Sequence, residues 1–432
     1  MDLVEHARAE ADSSVQRDAL PPVSAANRYG SIDVVLKVVE RCNLACPYCY
    51  FFFADDDSFK RHPPTIPSRT IDALLAYLHD AIDNHGIQMV KIGLHGGEPL
   101  MMKKPAFRAM CARFRDELGP KCRLMITMQT NGVLIDEEWI DIFAELRIRI
   151  GVSVDGPKHI HNLTRITKKG RGTYDETRRG WELLRAAVDQ GRITDPGMLC
   201  VVNPAYSGQE AFDHIIGELR SSAVNFLLPD ITHDSPEATE AFIAGCGRFM
   251  IEVYNAWAAS DGKATVRFIY EAVGPMTNDD SCRSIATGKY DPMGLIVVSS
   301  DGEISPDDVL RGIDARFRDT GVSLFQHGVI DTLSHPLWQE LAQAQARPHA
   351  SCTECLWFNA CRGGSPQHRY SKERGFDNPS VYCEELKRYH RYVASSLVSS
   401  GYDGTEIERR LDTRWVHSPV MLQYTEADRQ RV

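Results

Sequence analysis

From residue 31 onward the chain alternates short apolar or β-branched runs with longer stretches of helical period. Runs at 34–39, 89–94, 124–128, 148–154, 198–202 and 223–228 predict strands. Between the first two, Ile71, Leu74, Leu75, Leu78 and Ile82 fall on one face of a helix. Strands alternating with amphipathic helices make βαβ units, and such units make a parallel sheet. Ligands of parallel barrels bind at the C-terminal ends of the strands, so the residues just after each run are the place to look for chemistry. Residues 242–257 predict a further, bridging helix. Residues 1–30 show no periodicity and are expected to form a polar tail or lid.

Composition changes this picture in two respects. A chain of 432 residues with 43% hydrophobic content exceeds the roughly 250–300 residues at which one core stops growing. The expected division is a tail (1–30), a barrel (31–235), a helical bridge (236–275), a second cysteine-bearing domain (276–400) and a C-terminal extension (401–432). The N-terminus has no signal-like apolar region, and no apolar run approaches the ~18 residues of a membrane span. A soluble, cytoplasmic protein with no membrane partner is expected. There, clustered members of the 12 cysteines read as metal ligands rather than disulfides. Cys111, Cys122, Cys200 and Cys246 stand apart and read as small buried hydrophobes. The net charge of −10, spread without long blocks, argues against a nucleic-acid partner.

The candidate chemistry begins right after the first run. Cys42, Cys46 and Cys49 set three thiols in C-x3-C-x2-C spacing with no fourth nearby. Four thiolates per iron-sulfur cluster is the norm, so three would leave one iron open, as a catalytic zinc site keeps an open position. A zinc knuckle or three inert cysteines are the alternatives. At the end of the second run stands His95-Gly96-Gly97-Glu98-Pro99, where paired glycines allow close backbone approach and the carboxylate can accept from an ammonium group. By itself it reads equally as a strand-to-helix turn. The Asn131-Gly132 pair marks a turn. After the fourth run come Ser153, Asp155 and Arg165, whose planar fork suits a carboxylate; by itself Arg165 reads as a surface charge. Near the C-terminus Cys352, Cys355, Cys361 and Cys383 offer a closed four-thiol site, for which zinc competes with iron-sulfur. Asp307-Asp308 is either a solvated acidic turn or a source of a general base.

The cysteine loop, with Tyr48 before its last cysteine, and the following Gly96-Gly97-Glu98-Pro99 resemble the signature of radical S-adenosylmethionine (SAM) enzymes. The resemblance implies an α/β fold with a partial (β/α)6 TIM-type barrel and a [4Fe-4S] cluster whose open iron is chelated by SAM. It assigns Glu98 to the SAM amino group, Ser153, Asp155 and Arg165 to its carboxylate or ribose, and His95 and Leu228 to further SAM contacts. The second cysteine set resembles the SPASM domain, which holds auxiliary [4Fe-4S] clusters. Two positions depart from that pattern: Ser365 and Asp307 stand where cysteines are expected, with Cys282 left over. One auxiliary cluster is therefore expected, on Cys352, Cys355, Cys361 and Cys383. Asp308 stands where sulfatase-maturing relatives carry a catalytic aspartate. The stretch from His368 through Gly375-Phe376-Asp377-Asn378-Pro379 to Cys383 resembles cyclophane-forming maturases of ribosomal peptides. Such an enzyme would join an aromatic ring carbon to a β-carbon of a precursor peptide, with flavodoxin or ferredoxin as reductant and Asp308 or Asp307 taking the proton. Formylglycine formation on a sulfatase, another peptide modification such as a thioether or epimerisation, and a zinc-stabilised peptide-binding module are the rivals.

Overall fold

The computed structural model describes residues 30–260, 262, 264–277 and 294–411. Cys282, nearly all of the N-terminal tail and the segment with Trp415 lie outside the described residues. The six expected strands are present: β1 (Ser31–Val39), β2 (Met89–Gly96), β3 (Arg123–Thr130), β4 (Arg149–Ser153), β5 (Gly197–Val201) and β6 (Ala223–Leu227). They pair in parallel in sequence order. The intervening helices are α1 (Ser68–His85), α2 (Lys104–Leu118), α3 (Glu137–Glu145), α4 (Lys158–Thr164), α5 (Tyr174–Asp189) and α6 (Gly208–Phe212). The expected stripe on α1 is seen: Ile71, Leu74, Leu75 and Leu78 are buried and Ile82 partly so. The bridging helix is α7 (Glu240–Ala259), capped by the Thr239 hydroxyl, which accepts from the Phe242 N–H.

The sheet does not end at residue 235. A short β7 (Thr265–Val266), followed by α8 (Arg267–Thr277), lies beside β6, while β8 (Leu295–Val298) pairs with β1 and β9 (Ile304–Ser305) closes the far edge. The nine strands run in the order β7-β6-β5-β4-β3-β2-β1-β8-β9, so segments from both expected domains share one sheet. Such short strands leave too few alternations for the sequence pattern to register.

The strands alternate rather than being apolar on both faces. Val34, Leu36, Val90, Ile92, Ile126, Met128, Val152, Met198 and Phe226 are buried in the main core with the helices. The intervening positions Asp33, Lys91, Gln129, Ser153, Leu199 and Asn225 line a central cavity of about 2410 Å³. A packed barrel would fill that space with side chains, but here it is open. Its size exceeds the ~300–1,000 Å³ of a usual small-molecule pocket, which leaves room for a cofactor and a segment of peptide together. Among the described residues no helix is long and apolar enough to cross a membrane.

Candidate active site

The cysteine loop leaves β1 and is fixed from two sides and by one contact of its own. The Ala45 N–H donates to the Ile166 carbonyl at 2.8 Å, the Leu44 N–H reaches the Cys42 sulfur at 3.4 Å, and Asn131 Nδ2 donates to Asn43 Oδ1 at 2.8 Å. Asn131, read from sequence only as part of a turn, thus ties the β3 end to the cysteine loop. Burial pushes the Cys42 thiol up to about 12 and Cys46 to about 11. Bare thiolates are disfavoured there, as expected of a site completed by a positively charged group.

The two glycines after His95 line the cavity and also admit a close approach of backbone. A Cβ on Gly96 would stand 2.2 Å from the Val39 carbonyl oxygen, and one on Gly97 would stand 2.2 Å from that of Arg41. Gly96 also has φ +122°, which side-chain-bearing residues rarely adopt. The close approach is to the backbone entering the cysteine loop, where the Gly97 N–H donates to Val39 O and the Glu98 N–H to Arg41 O. Glu98 itself is buried and accepts from the Leu100 and Asn131 N–H groups and the Thr130 hydroxyl. Its carboxylate already cross-links β2 to β3, leaving at most one lone pair for an ammonium group. Burial raises its pKa to about 6 despite these donors.

Asp155 and Arg165 form a buried pair, 4% and 8% exposed. Arg165 Nε and Nη2 lie 3.0 and 3.1 Å from the two Asp155 oxygens, and Asp155 also accepts from the Tyr48 hydroxyl at 2.5 Å and the Val201 N–H. Burial opposes the Asp155 charge, but Arg165 outweighs it and lowers the pKa. One edge of the Arg165 fork therefore serves Asp155, so only its other edge can serve a ligand. Tyr48 faces the same cavity with the Arg165 guanidinium 5.8 Å from its ring centre. Ser153 accepts from Gln129 Nε2 at 2.8 Å, and Leu228 lines the cavity just past the end of β6.

Asp308 is not a solvated turn. Its side chain is 14% exposed, and Lys37, fully buried on β1, lies 2.5 Å from Oδ1 while the Tyr50 hydroxyl donates to Oδ2 at 2.5 Å. The Lys37 ammonium also lies 4.5 Å from the Phe51 ring centre and 3.5 Å from His95 Nδ1. Burial raises the Asp308 pKa, but Lys37, His95 and Tyr50 overcome it and hold it at about 2. Burial and Lys37 lower His95 to about 4. His95 is then neutral, so its 3.8 Å approach to Asp308 is not an ion pair. Asp307, expected with Asp308 as a proton acceptor, uses Oδ1 to cap the following turn, accepting from the Val309 and Leu310 N–H groups at 2.8 and 2.9 Å. Lys37 and Tyr50 were passed over in the sequence, although a lone lysine inside an apolar strand was a usable signal.

The four later cysteines line a second, small cavity of about 20 Å³. Cys361 is pushed up to about 11, chiefly by burial. Among the described residues the only His, Cys, Asp or Glu group with three ligand atoms within 4.8 Å of one another is His62, Asp301 and Glu303. The loop before Cys383 docks on the β6 end: Gln367 Nε2 reaches Asp230 Oδ1 at 3.3 Å, and His368 Nε2 and the Tyr382 hydroxyl reach the Pro229 carbonyl at 3.2 and 3.0 Å. Asn378 braces the loop by donating to the Arg369 and Gly375 carbonyls.

Residues 36–199 match the radical SAM superfamily. Over 378 residues the chain is 23% identical to a cysteine-type anaerobic sulfatase-maturating enzyme of Clostridium perfringens, covering 83% of this chain and 95% of that protein. It is 24% identical over 387 residues to a serine-type anaerobic sulfatase-maturating enzyme of Bacteroides thetaiotaomicron, covering 82% and 87%. The structure of native anSMEcpe with bound AdoMet and Cp18Cys peptide superposes with a TM-score of 0.70 at 20% identity, over 85% of this chain and 98% of that one.

Proposed function

The chain carries a radical SAM domain and is homologous to the anaerobic sulfatase-maturating enzymes, and from that premise we propose that this peptide-modifying enzyme forms a carbon-carbon cross-link. The bond would join an aromatic ring carbon to the β-carbon of a nearby residue in a ribosomally made precursor peptide. The observation that carries this reading is the four-thiol cavity of Cys352, Cys355, Cys361 and Cys383, with no second four-thiol group among the described residues. Ser365 and Asp307 occupy positions where a second auxiliary set would need cysteines, and Asp307 Oδ1 caps a turn.

Cys42, Cys46 and Cys49 would hold the first [4Fe-4S] cluster and the four later cysteines the second; with SAM they supply one-electron hydrogen abstraction and an electron acceptor. The protein's part is placement. Arg165 offers its open edge to a SAM carboxylate while Asp155 and Tyr48 fix its plane. Glu98 braces the loop that carries the thiols. Neutral His95 lines the cavity with Asp308, and Lys37 lies behind them. His368, Tyr370 and Lys372 of the loop before Cys383 help to line the cavity.

Formylglycine formation is a second reading, favoured by the similarity to sulfatase-maturating enzymes. Mass spectrometry of an aromatic-rich candidate peptide, after anaerobic incubation with SAM and reductant, separates the two. A loss of two hydrogens mapped to an aromatic residue and a neighbour supports cross-linking; an aldehyde at one serine or cysteine supports formylglycine. Iron analysis of the anaerobic protein tests the zinc-stabilised binding module: two [4Fe-4S] clusters require about eight irons per chain, whereas that module requires zinc.

A further inference from the structure

Asp230 and Asp308 both line the large cavity, close to Tyr50 of the first cysteine loop, and their surroundings differ. Asp308 has both oxygens engaged, by Lys37 and by Tyr50. Asp230 follows β6, is open to the cavity, and has Gln367 on Oδ1 as its one hydrogen-bond partner among the described residues. The groups around it are Asp307 and Asp308 from one loop, Tyr50 from the cysteine loop, and Gln367, neutral His368 and Tyr382 from the docking loop. No cation is among them. Asp230 is exposed to the cavity, so its enclosure by the cavity walls desolvates it only in part; that enclosure and the charges of Asp307 and Asp308 raise its pKa against the pull of Gln367.

We infer that Asp230 is the catalytic base of the cross-linking reaction, accepting the ring proton on Oδ2, while Asp308 serves as a fixed anion that positions Lys37 and Tyr50. The assignment rests on the cross-linking reading. After the new carbon-carbon bond forms, the ring C–H bond breaks and its electron pair restores the aromatic system. The proton forms an O–H bond on Asp230, and the one remaining electron goes to an acceptor of the iron-sulfur class. An oxygen already shared with a buried ammonium is a poor place for that proton. An oxygen with no donor of its own, on a carboxylate poised near neutrality, is a good one.

Anaerobic holoenzymes carrying Asp230→Asn, Asp230→Glu or Asp308→Asn test the assignment. With a peptide that the wild type cross-links, Asp230→Asn should keep consuming SAM, form product at least tenfold more slowly and lose the acid limb of the rate profile near pH 7. Asp230→Glu should restore most of the rate. Product formation by Asp230→Asn within twofold of wild type, with the limb intact, overturns the proposal. Infrared titration without peptide gives an independent reading: a protonated-carboxyl band absent from Asp230→Asn should fade near neutral pH. A band that persists in Asp230→Asn but is lost in Asp308→Asn also overturns it. If the wild type instead modifies peptides without losing a ring proton, the cross-linking reading fails while the infrared titration still decides whether Asp230 holds a proton.

Discussion

Replacing Lys37 by methionine deletes the cation that keeps Asp308 ionised while retaining most of the side-chain volume. The drop in the Asp308 pKa from its ordinary 3.8 to about 2 corresponds to about 2.5 kcal/mol at about 1.36 kcal/mol per unit. That is the net of a favourable pairing and an opposing burial cost. Breaking a buried pair from one side costs more, about 3–5 kcal/mol, because the partner is left buried and uncompensated. At about 2.1 cal/mol/K per residue, unfolding 432 residues changes the entropy by about 0.9 kcal/mol/K, so Lys37→Met should lower Tm by about 3–6 °C. The Asp308 carboxyl should then take up a proton. Adding Asp308→Asn to Lys37→Met should recover much of the loss, since removing both members of a buried pair is often neutral. The assay is anaerobic calorimetry of the iron-loaded single and double variants at one scan rate. A single-variant shift under 1 °C, or a double variant showing the simple sum of both single losses, would refute the claim that the two charges are coupled.

Two further outcomes follow from contacts around the cysteine loop. Glu40 is buried beside His62, with Oε2 2.9 Å from His62 Nδ1 and Oε1 accepting from the Ser300 N–H. Burial opposes both charges, but pairing wins, lowering Glu40 and raising His62. The Glu40 contribution is present above pH 4.5 and is lost as pH falls through its lowered folded value. The His62 contribution is present below pH 6.5 and is lost as pH rises through its raised folded value. The Tm deficit of His62→Gln should therefore be greatest between pH 4.5 and 6.5 and shrink toward high pH; a deficit that grows there contradicts this. Gly97→Ala would place a methyl 2.2 Å from the Arg41 carbonyl oxygen and displace the Cys42 backbone, so iron content should fall from about eight to about four per chain. Full iron loading with an unchanged Tm would show that the loop tolerates the methyl.

The six principal strands were legible as short apolar or β-branched runs set between stretches of helical period, and the cysteine sets because thiol spacing is distinctive. The short β7, β8 and β9 lie below the length at which periodicity speaks. Glu98, Gly96 and Gly97 stand out in the sequence by their pattern, but their partners, the Val39 and Arg41 carbonyls and the Asn131 N–H, come from other segments of the chain. Asp308 was singled out, yet its state depends on Lys37, which lies 271 positions earlier in the chain. Asp230 left no mark at all: a single aspartate after Pro229 looks like any loop residue until Gln367 and the two other acids are brought beside it.

The seam at Pro229 has a bearing on how such chains can be recombined. One carbonyl receives His368 and Tyr382, the Lys372 N–H donates to Asp234, and His233 Nε2 meets the Pro379 carbonyl. Residues 229–234 and 367–382 are thus two halves of one joint, and Cys383 is the next residue in the chain. A chimera cut at a conventional linker between barrel and cysteine-rich lobe would pair mismatched halves. The exchangeable unit is instead the joint itself, both segments moved together.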